Sequence, residues 1–253
     1  MAERGFRAFV SGGTGDLGAQ VVRTLAGSGH EVWFQYRSGA EAATALADET
    51  GAKPFHADYT RIDKLTDAEV LPPGGFDVLV CCAGVNLGRE KLADVPADTL
   101  RRTLAVNVLS AVRLTQACLP GMTAAGYGRI VYLSSIFGQV AAPGNAPYNL
   151  TKSALRGLCQ SVVADYAGSG VTANEILAGP VDSTMYRTVA ADRGRALGRD
   201  PAVLEAAMVK RIPARRLGTP ADIAHAVGYL VSAEASYVNG VALRVDGGVL
   251  SVL

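Results

Sequence analysis

Apolar residues along this chain fall into short dense runs, separated by longer segments in which they recur at helical intervals. The runs FRAFVSG, HEVWFQY, AKPFHA, FDVLVCCAG, GRIVYLSS, VTANEILAG and VALRVDGG each predict a buried strand, seven in all. Segments 17–28, 40–50, 98–125 and 148–167 predict helices between them. Strands that alternate with helices need crossover connections, and these favour parallel pairing with both faces of the sheet covered. The expected fold is α/β: one domain over residues 1–253, with a seven-stranded, mostly parallel sheet and helices on both faces. No repeat, low-complexity tract or linker divides it.

Residues 184–216 break the rhythm. They lack a strand period and carry Arg187, Arg193, Arg195, Arg199, Lys210, Arg211, Arg215 and Arg216 against Asp192, Asp200 and Glu205, a local charge of +5 in a chain that is +1 overall. An insertion between the sixth and seventh strands lies where strand ends open in such a sheet, so this segment is expected to be a lid over a ligand crevice.

Composition narrows the class. The near-neutral charge gives no electrostatic footprint for nucleic acid, and the 49% hydrophobic content is ample for a buried core. No stretch reaches the ~20 apolar residues of a membrane helix, and the N-terminus runs into a strand without a signal-peptide core. A cytoplasmic protein is the expectation. Cys81, Cys82, Cys118 and Cys159 form no metal-binding spacing, and adjacent Cys81 and Cys82 should face opposite sides of a strand end. Reduced, mostly buried thiols are expected, and no metal site.

The first strand leads into VSGGTGDLGAQ, where Gly13, Gly15 and Gly18 obey G-x-G-x-x-G between a strand and a helix. Such a Rossmann turn brings backbone amides and the positive helix end close to a pyrophosphate. Taken alone, the motif is equally compatible with a purely structural turn. Asp16 is expected at the helix start, serving free N–H groups there and facing away from the phosphate.

A second pattern lies at 148–152, where YNLTK places Tyr148 and Lys152 at i and i+4 on one helix face. Ser135 ends a strand upstream, and Asn107 lies within the preceding long helix. With SGGTGDLG, ADYT, CCAG, LAVNVLS, LSS, YNLTK, AGPVDS and YVNGVALRVDGG in this order over essentially the whole chain, the sequence resembles the short-chain dehydrogenase/reductase family. The resemblance is closest in pattern to 3-oxoacyl-carrier-protein reductases and polyketide ketoreductases.

That resemblance implies a catalytic tetrad of Asn107, Ser135, Tyr148 and Lys152. It implies a cofactor held along Gly12, Thr14, Gly15, Asp16, Leu17, Arg37, Ser38, Asp58, Tyr59, Ala83, Gly84, Tyr148, Lys152, Gly179, Val181 and Ser183, and a homodimer or homotetramer packed through the helices bearing Asn107 and Tyr148. The residue types suit the chemistry. Reducing a carbonyl with a nicotinamide hydride leaves an alkoxide that needs a proton, and an unperturbed tyrosine titrates near ~10. Lys152 one turn away should favour tyrosinate and bring that value down, Ser135 can donate to the carbonyl oxygen, and Asn107 can hold a water joining Lys152 to solvent. Singly, each residue has a structural reading: Ser135 a strand-end cap, Asn107 a buried helix polar group.

Three departures from the family pattern stand out. The usual Asn-Asn-Ala-Gly is CCAG, so an amide is missing at Cys82 and packing is expected to replace its support of the central strands; Ala178 stands for a proline, and Ser183 for a threonine. Cofactor choice is read in FQYRSG after the second strand, where no acid is available for a ribose hydroxyl. Arg37 and Ser38 there suit the 2′-phosphate of NADP(H), with an exposed loop arginine as the less favoured structural alternative for Arg37. Asp58 matches an adenine acceptor or an ordinary helix cap. Ser135, Phe137, Gln139, Val140, Asn145 and Tyr148 are expected to line the substrate pocket, together with Ile136. The expected function is an NADPH-dependent reductase of ketones, with a small-molecule or acyl-thioester substrate. The alternatives are an alcohol-oxidising dehydrogenase and a non-catalytic NADP-binding regulator.

Overall fold

A computed structural model describes residues 5–252. Seven strands form one sheet: β1 (Arg7–Ser11), β2 (Glu31–Tyr36), β3 (Lys53–His56), β4 (Val78–Cys81), β5 (Gly128–Ser135), β6 (Val171–Ala178) and β7 (Ala242–Val245). Their order is β3-β2-β1-β4-β5-β6-β7, and every pairing is parallel. This is the Rossmann arrangement anticipated by the strand–helix alternation. The strand order reverses between β1 and β4, and a crevice opens above the carboxyl ends at that switch point.

The helices are α1 (Asp16–Gly27), α2 (Ala40–Thr50), α3 (Asp67–Val70), α4 (Ala97–Leu104), α5 (Ser110–Ala125), α6 (Ala146–Tyr166), α7 (Thr184–Leu197), α8 (Pro201–Arg211) and α9 (Pro220–Val231). On one face of the sheet, Val21, Val22 and Leu25 of α1 and Ile223, Val227 and Leu230 of α9 pack on Ala8, Val10 and Val80. Helix α9 lies directly against α1, so that a side chain added at Gly228 would touch the Thr24 methyl at 3.8 Å. On the other face, Leu114, Cys118 and Met122 of α5 and Leu155, Cys159 and Val162 of α6 cover Phe9, Leu79 and Ile130. Cys81 joins this second core and Cys82 the first, as strand alternation requires. The four thiols are free.

The long helix expected over 98–125 is divided. Between α4 and α5, residues Ala105–Leu109 form a π-helical turn, whose extra residue re-aims buried Asn107. Most of the segment expected as a lid forms the hairpin of α7 and α8, whose residues line the crevice at the carboxyl ends of the strands. Ser183 caps α7 by accepting from the Tyr186 amide at 3.2 Å, and Asp200 caps α8 through Ala202 at 2.8 Å. Among the described residues, no helix is long and apolar enough to cross a membrane, and no cluster of His, Cys, Asp and Glu could hold a metal.

Candidate active site

A cavity of about 880 Å³ runs from the glycine loop after β1, past the ends of β4, β5 and β6, to the inner side of the α7–α8 hairpin. The glycines of the loop divide into two kinds. Gly12 has φ +68°, and a Cβ there would lie 2.8 Å from Ala83 Cα; Gly13 abuts the Phe34 ring; a Cβ on Gly18 would come within 2.2 Å of the Gly12 carbonyl. These three are glycine because the protein itself leaves no room. Gly15 has an ordinary φ of −75°, and a Cβ there would meet only the Gly12 carbonyl oxygen, at 3.4 Å. Its empty side faces the cavity. Gly15 is also the N-cap of α1 and supplies no side-chain acceptor, so the first amides of that helix are left for an anion. A pyrophosphate fits this cradle.

Asp16 lines the cavity next to Gly15, and the partner of its carboxylate is not α1. Its carboxylate accepts the Thr184 amide at 2.8 Å and the Thr184 hydroxyl at 3.4 Å, reaching across to the first turn of α7. The expectation that it serves its own helix is corrected: its bonds go to the lid, because α7 presents unpaired amides within reach.

At the end of β2, exposed Arg37 and Ser38 line the cavity. Asp58 acts as a cap, its Oδ1 accepting from the Thr60 amide at 3.0 Å and hydroxyl at 2.8 Å. Asp58 lies off the cavity wall, which Tyr59 and Thr60 form at this point, while Ala83 and Gly84 line it at the end of β4.

Ser135, Tyr148 and Lys152 converge in the same cavity. Ser135 sits at the last position of β5, where its hydroxyl accepts the Phe137 amide at 3.2 Å and points toward the Ala178 carbonyl at 3.4 Å. The Tyr148 ring meets Phe137 edge-on at 6.5 Å. Lys152 Nζ donates to the Leu133 carbonyl at 2.7 Å and lies 5.4 Å from the Tyr148 ring centroid. Burial pushes the Tyr148 hydroxyl up to about 12, against a smaller downward pull from hydrogen bonding with Ser135. Burial also lowers Lys152 to about 8. The downward pull expected from Lys152 does not set the Tyr148 value: the ammonium is directed at a main-chain carbonyl, and desolvation dominates.

Asn107 stands behind this group, not on the cavity wall. Its Nδ2 donates to the Val85 carbonyl at 2.9 Å and to Thr151 Oγ1 at 3.0 Å, and its Oδ1 accepts the Val85 amide at 2.8 Å. Both amide protons are committed, so the side chain braces the loop after β4 against α6 and has no donor for a water.

The chain matches the family model described as enoyl-(acyl carrier protein) reductase over residues 14–250. It is 30% identical to the D-beta-hydroxybutyrate dehydrogenase of Rhizobium meliloti (strain 1021), covering 95% of this chain and 97% of that protein. It is 28% identical to the 3-oxoacyl-[acyl-carrier-protein] reductase MabA of Mycobacterium tuberculosis, covering 94% and 90% of the two chains. A solved structure of a variant actinorhodin polyketide ketoreductase with NADPH superposes with a TM-score of 0.90 at 26% identity, covering 97% of each chain. The chain belongs to the short-chain dehydrogenase/reductase family.

Within this short-chain dehydrogenase/reductase chain, the central-strand support missing at Cys82 is restored by another residue. The Ser11 hydroxyl accepts the Ala83 amide at 3.1 Å, so a hydrogen bond joins the ends of β1 and β4 in addition to the packing of Cys82 on the first core. Thr14, Leu17, Gly179, Val181 and Ser183 all line the cavity, and so do Phe137 and Val140. Gln139 and Asn145 do not. Gln139 is exposed beyond the short turn that follows β5, and buried Asn145 directs its amide at Asn149 Oδ1, 3.1 Å away.

The far wall was not read from sequence residue by residue. Met185, Tyr186, Val189, Arg193, Met208 and Arg211 supply it from the lid, and Asn86 and Pro143 supply it from neighbouring loops. The one signal was the basic, strandless segment itself. Its charge is unevenly used: Arg187 pairs with Asp182, Arg195 and Arg89 with Asp192, and Arg216 with Asp222, whereas Arg193 and Arg211 make no ion pair among the described residues.

Proposed function

We propose that this chain is an NADP(H)-dependent reductase that converts a ketone to a secondary alcohol. The observation that carries the reading is one continuous cavity with the Gly15 cradle and Arg37 at one end and Ser135, Tyr148 and Lys152 at the other. The similar polyketide ketoreductase structure holds NADPH.

A bound nicotinamide supplies the hydride. The chain supplies the rest. Arg37 and Ser38 take the 2′-phosphate and distinguish it from a bare ribose. Tyr148, kept protonated at neutral pH by burial, is the proton donor to the developing alkoxide, and the Ser135 hydroxyl donates to the same oxygen. Lys152, charged below its value of about 8, stabilises the tyrosinate left when the proton has gone.

The substrate reading is a 3-oxoacyl thioester or a polyketide-like ketone. Its support is the apolar stretch of Ile136, Phe137, Val140, Met185, Val189 and Met208, followed by Arg193 and Arg211 at the lid, which suit an anionic or phosphorylated end. As an assembly we propose a homodimer or homotetramer, with exposed Leu109 and Leu150 beside Asn107 and Tyr148 as covered surface.

The test is NADPH oxidation with a panel of ketones, 3-oxoacyl thioesters and enoyl thioesters. Turnover of the carbonyl compounds that is lost in Tyr148→Phe supports the reading. Turnover of enoyl thioesters alone, or NADPH binding with no turnover of any carbonyl, overturns it.

A further inference from the structure

Residue 175 is a glutamate inside the sheet. It lies in the middle of β6, between Tyr132 of β5 and Ala242 of β7, and is 2% exposed. Central parallel strands are apolar because nothing there solvates a charge, and a buried carboxylate without a strong partner is costly. Its one ion pair is long: Oε1 is 3.5 Å from Arg156 Nη1, and Arg156 itself is held by the Gly240 carbonyl at 2.9 Å. Oε2 is buried and has no hydrogen-bond partner. Nothing in the strand or the core requires an acid at this position.

What lies over it is α6. Tyr148, Lys152 and Arg156 recur at i, i+4 and i+8, one row along the helix face toward the sheet. Glu175 points to that same face, as Ala173 does, which packs with Cys159 in the core beneath α6. Ser134 of β5 ties the row to the strands, its hydroxyl donating to the Lys152 carbonyl at 3.1 Å, and it faces the Glu175 carboxylate from the neighbouring strand. The charged row alternates: Lys152 positive, Glu175 negative, Arg156 positive.

We propose that Glu175 is a positioning residue for the reduction, a buried counter-charge that holds the Lys152 ammonium charged and fixed beneath Tyr148. The inference rests on the reading of Tyr148 and Lys152 as the reacting pair. Burial works against the Lys152 charge, while Cys82 and Cys81 at the end of β4, and after them Glu175, favour it. The groups facing Glu175 are Lys152, Arg156 and Cys159 from α6 and Tyr132 and Ser134 from β5; its β7 neighbour, Ala242, carries no charge. Burial raises the Glu175 carboxyl above its ordinary value, and Arg156, Ser134 and Lys152 draw it back. Arg156 thus favours the ionised carboxylate, and the carboxylate in turn favours the charged form of Lys152.

The test compares Glu175→Gln and Glu175→Asp with the parent by two measurements. One is the pH profile of kcat/KM for ketone reduction; the other is the titration of the Lys152 Nζ resonance in 15N-lysine-labelled protein without added cofactor. Glu175→Gln should move both the basic limb and the Lys152 titration down by about one pH unit, a tenfold loss of kcat/KM on the alkaline side. Glu175→Asp, which keeps the charge, should restore most of that shift. If Glu175→Gln does not fold, Glu175→Met of similar length and no charge takes its place, with the same expected shift. A uniform loss at all pH values with the Lys152 titration unmoved would show a structural role and overturn the proposal. Full activity in Tyr148→Phe would remove the functional reading beneath it, while the resonance titration would still report whether Glu175 acts on Lys152.

Discussion

The Asp16 carboxylate and the Thr184 main-chain amide, 168 positions apart in sequence, are joined by a 2.8 Å hydrogen bond. The bond fastens the glycine loop to the first turn of the lid. An acid at this place in the loop therefore costs the phosphate cradle little, because its charge is engaged by the N-terminus of α7 rather than turned toward α1. Asp16→Ala should destabilise the fold by about 1 kcal/mol, as loss of a helix cap does, and hasten amide exchange at the start of α7. NADPH affinity should change by less than about tenfold, or ~1.4 kcal/mol. Exchange mass spectrometry and fluorescence titration of NADPH check both parts.

Gly15 and Gly18 should separate binding from folding. Gly18→Ala places a methyl 2.2 Å from a carbonyl oxygen and is expected to lower the melting temperature sharply. Gly15→Val keeps an allowed backbone but fills the cradle, so the protein should fold and bind NADPH at least about tenfold more weakly. Parallel thermal melts and binding titrations would show the split.

Tyr148→Phe removes one hydroxyl and keeps the ring that packs on Phe137. Turnover should fall about 10²- to 10⁴-fold, the range of general acid catalysis, with NADPH binding nearly unchanged. Steady-state kinetics and equilibrium binding on one preparation distinguish the two.

Arg37→Asp should reverse the preference from NADPH to NADH, since it deletes a phosphate donor and sets like charge against the 2′-phosphate. The ratio of kcat/KM for the two cofactors is the measurement. An unchanged ratio would make Arg37 a bystander.

The pH profile follows from Lys152. Its folded value is depressed to about 8, so the ammonium is present below that pH and is lost as pH rises through it. Reduction should have a basic limb near about 8 in kcat/KM, with no matching loss from Tyr148, whose hydroxyl holds its proton until about 12. A limb that stays at the same pH in Lys152→Arg would assign it to another group.

The seven strands were legible because parallel strands buried on both faces leave dense apolar runs, and the Tyr148–Lys152 pair because i, i+4 spacing fixes a shared helix face. What escaped was set by contacts distant in sequence. The Asp16 bond depends on where α7 begins, and the committed amide of Asn107 depends on a π-helical turn that no residue pattern in 98–125 announces. Gln139 lies off the cavity because it is exposed beyond the turn after β5, and Asn145 because it starts α6 with its amide bonded to Asn149. The segment 184–216 was visible as a charge anomaly, yet which of its arginines pair depends on where the fold sets Asp182, Asp192 and Asp222.

The packing of α9 on α1 has a bearing on the order in which the molecule takes shape as it is made. Helix α1 carries the phosphate cradle, but the surface that covers its outward apolar stripe is encoded some two hundred residues later, in Ile223, Val227 and Leu230. A nascent chain emerging from the ribosome can pair β1 with β2 early and hold the glycine loop on Gln35, yet the helix that follows the loop lacks its α9 neighbour until residues 220–231 have arrived. Chains cut short before α9 should thus be unable to bind dinucleotide although every residue that would touch it has been made. Synthesis of this protein gains its chemistry in one late step.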